Sequence, residues 1–273
     1  MTNNKLTVEK QYELRPKTWI RVVASLIVLV AVLYPSFETL NFTGISSNGM
    51  VVAKNMIKGI LSPSISYVFD TSTSGLAYLL LETAAIGFLG TIIGAIISVP
   101  LAFMSSRNLT PKAVSYLGVA IATILRTFPV FVYGVMFIKV TGPGAFAGVL
   151  TLAATSIGMC SKLFIEAIED LDPGITEALD ATGCTTFQKI RFGIIPQLLS
   201  NFISIVIYRY DINVKNASVL GLVGAGGIGA PLKFAMSGGR WSDVGVLLLG
   251  LIVLVLVIEY FSTAIRNKLI TGE

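Results

Sequence analysis

Six apolar stretches dominate this 273-residue chain, and the second of them, Leu76 to Met104, carries a single charge, Glu82. A helix needs about 20 residues to cross the hydrocarbon of a bilayer. The others run from about Trp19 to Tyr34, Ala113 to Val140, Phe146 to Ile165, Ile194 to Val214 and Val244 to Ala264. A soluble fold would have to cover all of this with 13% charged residues, about half of the ~25% usual in soluble domains. Disorder is excluded by the 54% hydrophobic content, since disordered chains lack the apolar surface to collapse. The expectation is an all-α, polytopic membrane protein with about six transmembrane helices. The first stretch is expected to stay as a helix and not to be a cleaved signal, because Tyr34-Pro35-Ser36 is a poor small-x-small cleavage site.

With the N-terminus cytoplasmic, twelve of the 20 Lys and Arg fall on the inner side, among them Lys5, Lys10, Arg15, Lys17, Lys162 and Lys189; five fall outside, and Arg126, Arg209 and Lys215 lie within spans. That bias follows the positive-inside rule. It predicts a multi-pass membrane protein, solvated by lipid, with both termini cytoplasmic. The net charge of +5 is scattered in ones and twos, without the basic stripe and interleaved aromatics that nucleic acid requires.

Catalysis is poorly served. Histidine is absent, which removes the usual general base, the Ser-His and Cys-His nucleophiles and most zinc or haem sites. Cys160 and Cys184 are the only cysteines and make no metal site by themselves; no phosphate loop of the G-x-x-x-x-G-K-[ST] type occurs. The chain is expected to be no enzyme, with no catalytic residue, no metal ligand and no bound cofactor.

The inner segment Asp172 to Pro196 is the most informative. Asp172 before Pro173 has the form of a helix start, with a capping carboxylate and proline at the first helical position. Gly183 can take the left-handed conformation that stops a helix. Thr185 and Gln188 then have capping-box spacing for a second short helix. This helix–Gly–helix elbow, with Glu177, Ala178 and Leu179 followed by Gly183 and Pro196, resembles the EAA motif of ABC importer permeases. Gly193 stands where that family usually has an aliphatic residue, Ile195 where Leu is usual, and Leu179 in place of the second Ala. The run from Tyr208 to Lys215, followed by Ala217 to Gly229, is similar to the permease subunit of phosphonate-type ABC importers. So are Gly142 to Phe146 and the stretch from Ile157 to Glu169.

The resemblance implies a type I ABC importer permease fold over residues 76–268, with a coupling helix at about 172–190; residues 1–75 hold the tail, the first helix and an outer segment. It implies a second permease copy or paralogue, two cytoplasmic ATPase subunits that carry ATP and Mg, and an extracytoplasmic binding protein. The cargo implied is phosphonate, phosphite or phosphate. Methionine, another amino acid or an osmolyte is the alternative within the family, and an ion-coupled secondary transporter the alternative outside it.

Two further groups of residues bear on transport. Gly224, Gly226, Gly227 and Gly229 fit a dinucleotide fingerprint by letter, but no βαβ unit surrounds them. They read as a turn with positive φ, and by resemblance as part of an outer gate. Arg126, Arg209, Asn213 and Lys215 lie at membrane depth, where charges are paired or line a watery path. Either Arg126 and Arg209 attract an oxyanion, with Asn213 and Lys215 nearby, or Arg126 pairs with Glu82 or Glu259 and Arg209 with an acid elsewhere. Asp211 and Lys215, four residues apart, are placed to neutralise each other. Gly90 and Gly94 form a small-xxx-small pair suited to close helix packing.

Overall fold

The computed structural model describes residues 18–39, 49–64, 67–70 and 72–271. Lys5, Lys10, Arg15 and Lys17, counted above on the inner side, lie outside them. The chain divides into two compact units, Met1–Ala53 and Lys54–Glu273. The described residues are helical and contain no strand.

Helix α1, Thr18–Thr39, belongs to the first unit, and α2, Gly49–Leu61, crosses the boundary. The second unit contains α3 (Leu76–Ser105), α4 (Lys112–Thr127), α5 (Val130–Thr141), α6 (Ala145–Glu169) and α7 (Pro173–Ala181). There follow α8 (Thr186–Gln188), a π-helical turn (Lys189–Ile194), α9 (Ile195–Gly221), α10 (Gly229–Ser237) and α11 (Trp241–Thr271). Among the described residues five helices are long and apolar enough to cross a bilayer, and α4 with α5, bent by 85°, is apolar enough to make a sixth if the pair is one span.

The stretch from Ala113 to Val140, in which Pro129 is expected to kink the span, is bent at that proline. Phe128 adopts an extended backbone (φ −82°, ψ 129°) because the ring of Pro129 disfavours the helical region for the residue before it. Broken helices survive in a membrane only if the freed backbone groups find partners. Here the Tyr133 hydroxyl donates to the Leu125 carbonyl at 3.1 Å, and the Phe128 and Tyr133 rings meet edge to face at 5.7 Å. Pro100, by contrast, is accommodated within an unbroken α3.

The core of the second unit is the α3–α6 pair. Burying apolar surface drives little association within lipid, so close van der Waals packing decides which helices touch. Gly90 and Gly94 provide it: a Cβ on Gly90 would come 2.5 Å from that of Leu152, and one on Gly94 would overlap Ser156. Helix α9 packs against the same pair, with Gly87 accommodating Val214. Three buried hydroxyls are satisfied within their own helices: Thr91 donates to the Gly87 carbonyl (2.6 Å), Ser98 to Gly94 (2.6 Å) and Thr151 to Ala147 (2.7 Å). One apolar cluster, with Ile86, Leu152 and Leu220, lies toward the glycine-rich turn. Another, with Phe164, Ile168 and Leu198, lies toward the elbow and includes the Phe164–Phe202 stack at 4.3 Å. Between them runs a polar layer.

Candidate functional site

The polar layer centres on Arg209, near the middle of the 27-residue α9 and only 5% exposed. Its Nε donates to Ser156 Oγ (3.0 Å), Nη1 to Met159 Sδ (2.8 Å) and Nη2 to Thr155 Oγ1 (2.9 Å). All three acceptors are neutral and all stand on α6. A guanidinium has five N–H donors, so one remains on each terminal nitrogen. A guanidinium with N–H donors to spare can grip an oxyanion bidentately. Among the described residues no carboxylate pairs with Arg209, and a buried charge without a counter-ion carries a penalty of several kcal/mol.

A cavity of about 380 Å³ opens beside it, lined by Arg126, Lys162, Arg209, Thr155, Met159 and Asn216, with apolar walls that include Phe128 and Val130. Three cations and no carboxylate face it. Its volume is at the lower end of the roughly 300–1,000 Å³ found for small-molecule sites. Arg126 arrives in the last turn of α4, where a cation suits the helix dipole. Gly158 makes room for it, since a Cβ there would lie 2.7 Å from Arg126 Cγ. The α4–α5 break places Phe128 and Val130 in the cavity wall, so α5 begins at the cavity with its positive dipole end. Broken membrane helices characteristically hold anions this way.

The four intramembrane residues singled out from sequence therefore separate. Arg126 and Arg209 meet at the cavity. Asn213 is fully buried behind Arg209, and its Nδ2 donates to Thr91 Oγ1 and Ser156 Oγ, both at 2.8 Å. It ties α3, α6 and α9 together at the level of the guanidinium. Lys215 faces elsewhere, bonding Asp211 at 3.1 Å, as its spacing suggested, and Glu259 at 3.3 Å. Glu259 is thereby engaged by Lys215, and Arg126 has no ion-pair partner among the described residues. Lys162, counted above as an inner-side cation, lies within α6, which runs on to Glu169. Its place on the Thr155–Met159–Lys162 stripe at helical spacing was the available signal.

The elbow takes the form its residues dictate. Asp172 Oδ1 accepts from the Gly174 amide at 2.9 Å, Gly183 adopts φ +76°, and Thr185 and Gln188 form a reciprocal capping box. Lys189 pairs with Asp180 across the bend. The expected second helix is only Thr186–Gln188 and flows through the π-helical turn straight into α9. Pro196 explains the widened turn: it offers no N–H to the Phe192 carbonyl and its ring crowds that group. Gln197 Nε2 donates to the Gly193 carbonyl at 3.0 Å, satisfying one acceptor in the widened turn. Glu177, Ala178, Gly183 and Pro196 are exposed, whereas Leu179 turns inward, and a Cβ on Gly193 would overlap its Cδ1.

At the other end, Gly224, Gly226 and Gly227 have φ of +103°, +81° and +71°. The Gly144 amide donates to the Gly224 carbonyl (2.9 Å), and the Ile228 amide donates to Thr83 Oγ1 (2.9 Å). Gly229 packs on the Gly221 backbone, where a Cβ would lie 2.6 Å from Cα. The turn is clamped between α3, α6 and α9.

A family model described as the binding-protein-dependent transport system inner membrane component matches residues 98–269. The chain belongs to that family. It is thus a multi-pass inner-membrane transport component. It is 35% identical over 190 residues to the phosphite transport system permease protein PtxC of Stutzerimonas stutzeri, covering 69% of each chain. It is 41% identical over 197 residues to the phosphate-import permease protein PhnE of Mycolicibacterium smegmatis, which covers 70% of this chain but spans only 36% of that relative. Among solved structures, an inward-facing MetNI methionine ABC transporter aligns with TM-score 0.63 at 23% identity, covering 71% of this chain and 95% of its own. A bacterial alginate ABC importer aligns with TM-score 0.61 at 14% identity, covering 93% and 99%. At these identities the likeness establishes the fold, that of ABC importer permeases.

Proposed function

We propose that this chain is the permease subunit of an ATP-driven importer of phosphorus oxyanions: phosphonate, phosphite or phosphate. The cavity carries the reading: Arg126, Lys162 and Arg209 line it with no carboxylate in the lining, and the buried Arg209 bonds only neutral acceptors. Relatives named for phosphite and phosphate transport support it. In this reading cargo released by an extracytoplasmic binding protein passes the glycine-rich turn and is met by Arg126, Lys162 and Arg209 in water-poor surroundings. Two permeases form the pathway, and both termini face the cytoplasm. ATP and Mg belong to two ATPase subunits that grip the exposed face of Glu177 to Gly183. Closure of the ATPases pulls the elbow, and the continuous path through the π-helical turn carries the movement along α9 to Arg209. The chain itself makes and breaks no covalent bond.

The test is ATP-driven uptake by the complex of this chain with its ATPase and binding protein in proteoliposomes. Methylphosphonate, phosphite and phosphate are compared with methionine and glycine betaine. Uptake of at least one phosphorus oxyanion, and its loss by about tenfold or more in Arg209→Gln with assembly intact, is expected, since truncating one partner of a buried charge contact is costly. Uptake of methionine or betaine alone would move the chain to the amino-acid and osmolyte branch, where relatives at 27% and 29% identity lie. Uptake without any ATPase would make it a secondary transporter.

A further inference from the structure

We propose that Glu166 is a built-in competitor for Lys162 and sets how readily the cavity lets go of its anion. The inference rests on the oxyanion reading above. Lys162 belongs to the cavity wall, yet its Nζ lies 3.1 Å from Glu166 Oε1, with both side chains about half exposed (49% and 50%). Thr155, Met159, Lys162 and Glu166 follow one another at helical spacing along α6. Glu166 comes last, on the elbow side of the cavity.

Stability alone does not favour this placement. Glu166 lies in the last turn of α6, where the helix dipole disfavours an anion. The pair also runs Lys before Glu, the weaker order for an i,i+4 contact. An exposed pair of this kind is among the weakest ion pairs in proteins, so an incoming oxyanion can draw Lys162 away. Glu169 is not an equivalent competitor, because its Oε1 accepts from the Arg107 amide at 2.9 Å.

The need for a competitor follows from the charge of the cavity. A dianion among three cations is held firmly, and a transport site must bind weakly enough to release. With Lys162 recaptured by Glu166, two cations remain facing the cargo and the released anion meets a carboxylate behind it. Glu166 therefore favours departure toward the elbow.

The experiment uses the full complex with radiolabelled phosphate and methylphosphonate as probes, and compares Glu166→Gln, Lys162→Gln and the double variant. Two quantities are read: retention of label on the purified complex during a chase, and maximal uptake rate in proteoliposomes. Glu166→Gln is expected to lengthen retention and lower the maximal rate by about two- to fivefold, the range open to an exposed ion pair. In the Lys162→Gln background the same change should do nothing. Unchanged retention in Glu166→Gln, or an equal effect with Lys162 absent, overturns the role of Glu166 and leaves the oxyanion reading standing. If the wild-type complex neither retains nor transports either probe, the oxyanion reading falls and this inference with it.

Discussion

Leu179 and Gly193 share a single volume at the base of the elbow. Each looks like a departure from the family pattern when read alone, a large residue for a small one and the reverse. A Cβ on Gly193 would overlap the Leu179 Cδ1 methyl, so the two positions compete for the same space. Gly193→Val is therefore expected to destabilise the protein by about 1–3 kcal/mol, as overpacked cores do, and to slow ATP-driven uptake. Adding Leu179→Ala should recover most of both losses, as read by thermal unfolding of the purified chain and by uptake. Equal damage in the double variant would show that the two positions do not share that space. This competition could not be read from the chain, because residues fourteen apart meet only once the elbow has folded.

At the scale of elements, small residues decide which helices touch, and proline decides where a span breaks. Gly94→Leu would drive a side chain into Ser156 on α6, beside the atom that accepts from both Arg209 Nε and Asn213 Nδ2. The expected result is a sharp fall in folded protein on extraction into detergent, with residual protein inactive in uptake; unaltered yield and uptake would refute the packing role. The capped start at Asp172, the reversal at Gly183 and the capping box at Thr185 were legible because each is decided by neighbours within a few residues. The break at Pro129 was half legible. Proline forbids a regular helix there, but neither the 85° angle nor the hydrogen bond from Tyr133 to the Leu125 carbonyl is announced by any periodicity.

For the whole molecule, the two cysteines provide a built-in test of topology. Cys160 is fully buried and Cys184, in the elbow, is partly exposed. A membrane-impermeant maleimide should label Cys184 in inside-out vesicles and leave it untouched in intact cells, while Cys160 stays unlabelled in both. Binding of the ATPase should protect Cys184. Labelling from the outer face would invert the orientation and separate the elbow from any cytoplasmic motor. The cavity and the elbow sit on one continuous stretch, from Pro173 through the π-helical turn to Asn216, which gives a mechanical route between them.

The sequence by itself determined that the chain is a helical membrane protein, roughly where five of its spans lie, and where an elbow projects. Those features follow from apolar length and local capping, which need no distant partner. Tertiary structure alone decided which intramembrane charges converge. Arg209 and Lys215 lie on one helix, yet the helical turn sends one toward Thr155 and Ser156 and the other toward Glu259. Lys162 joins the cavity only because α6 packs beside α9. A charge's role at membrane depth depends on what faces it, and that is settled by helix packing.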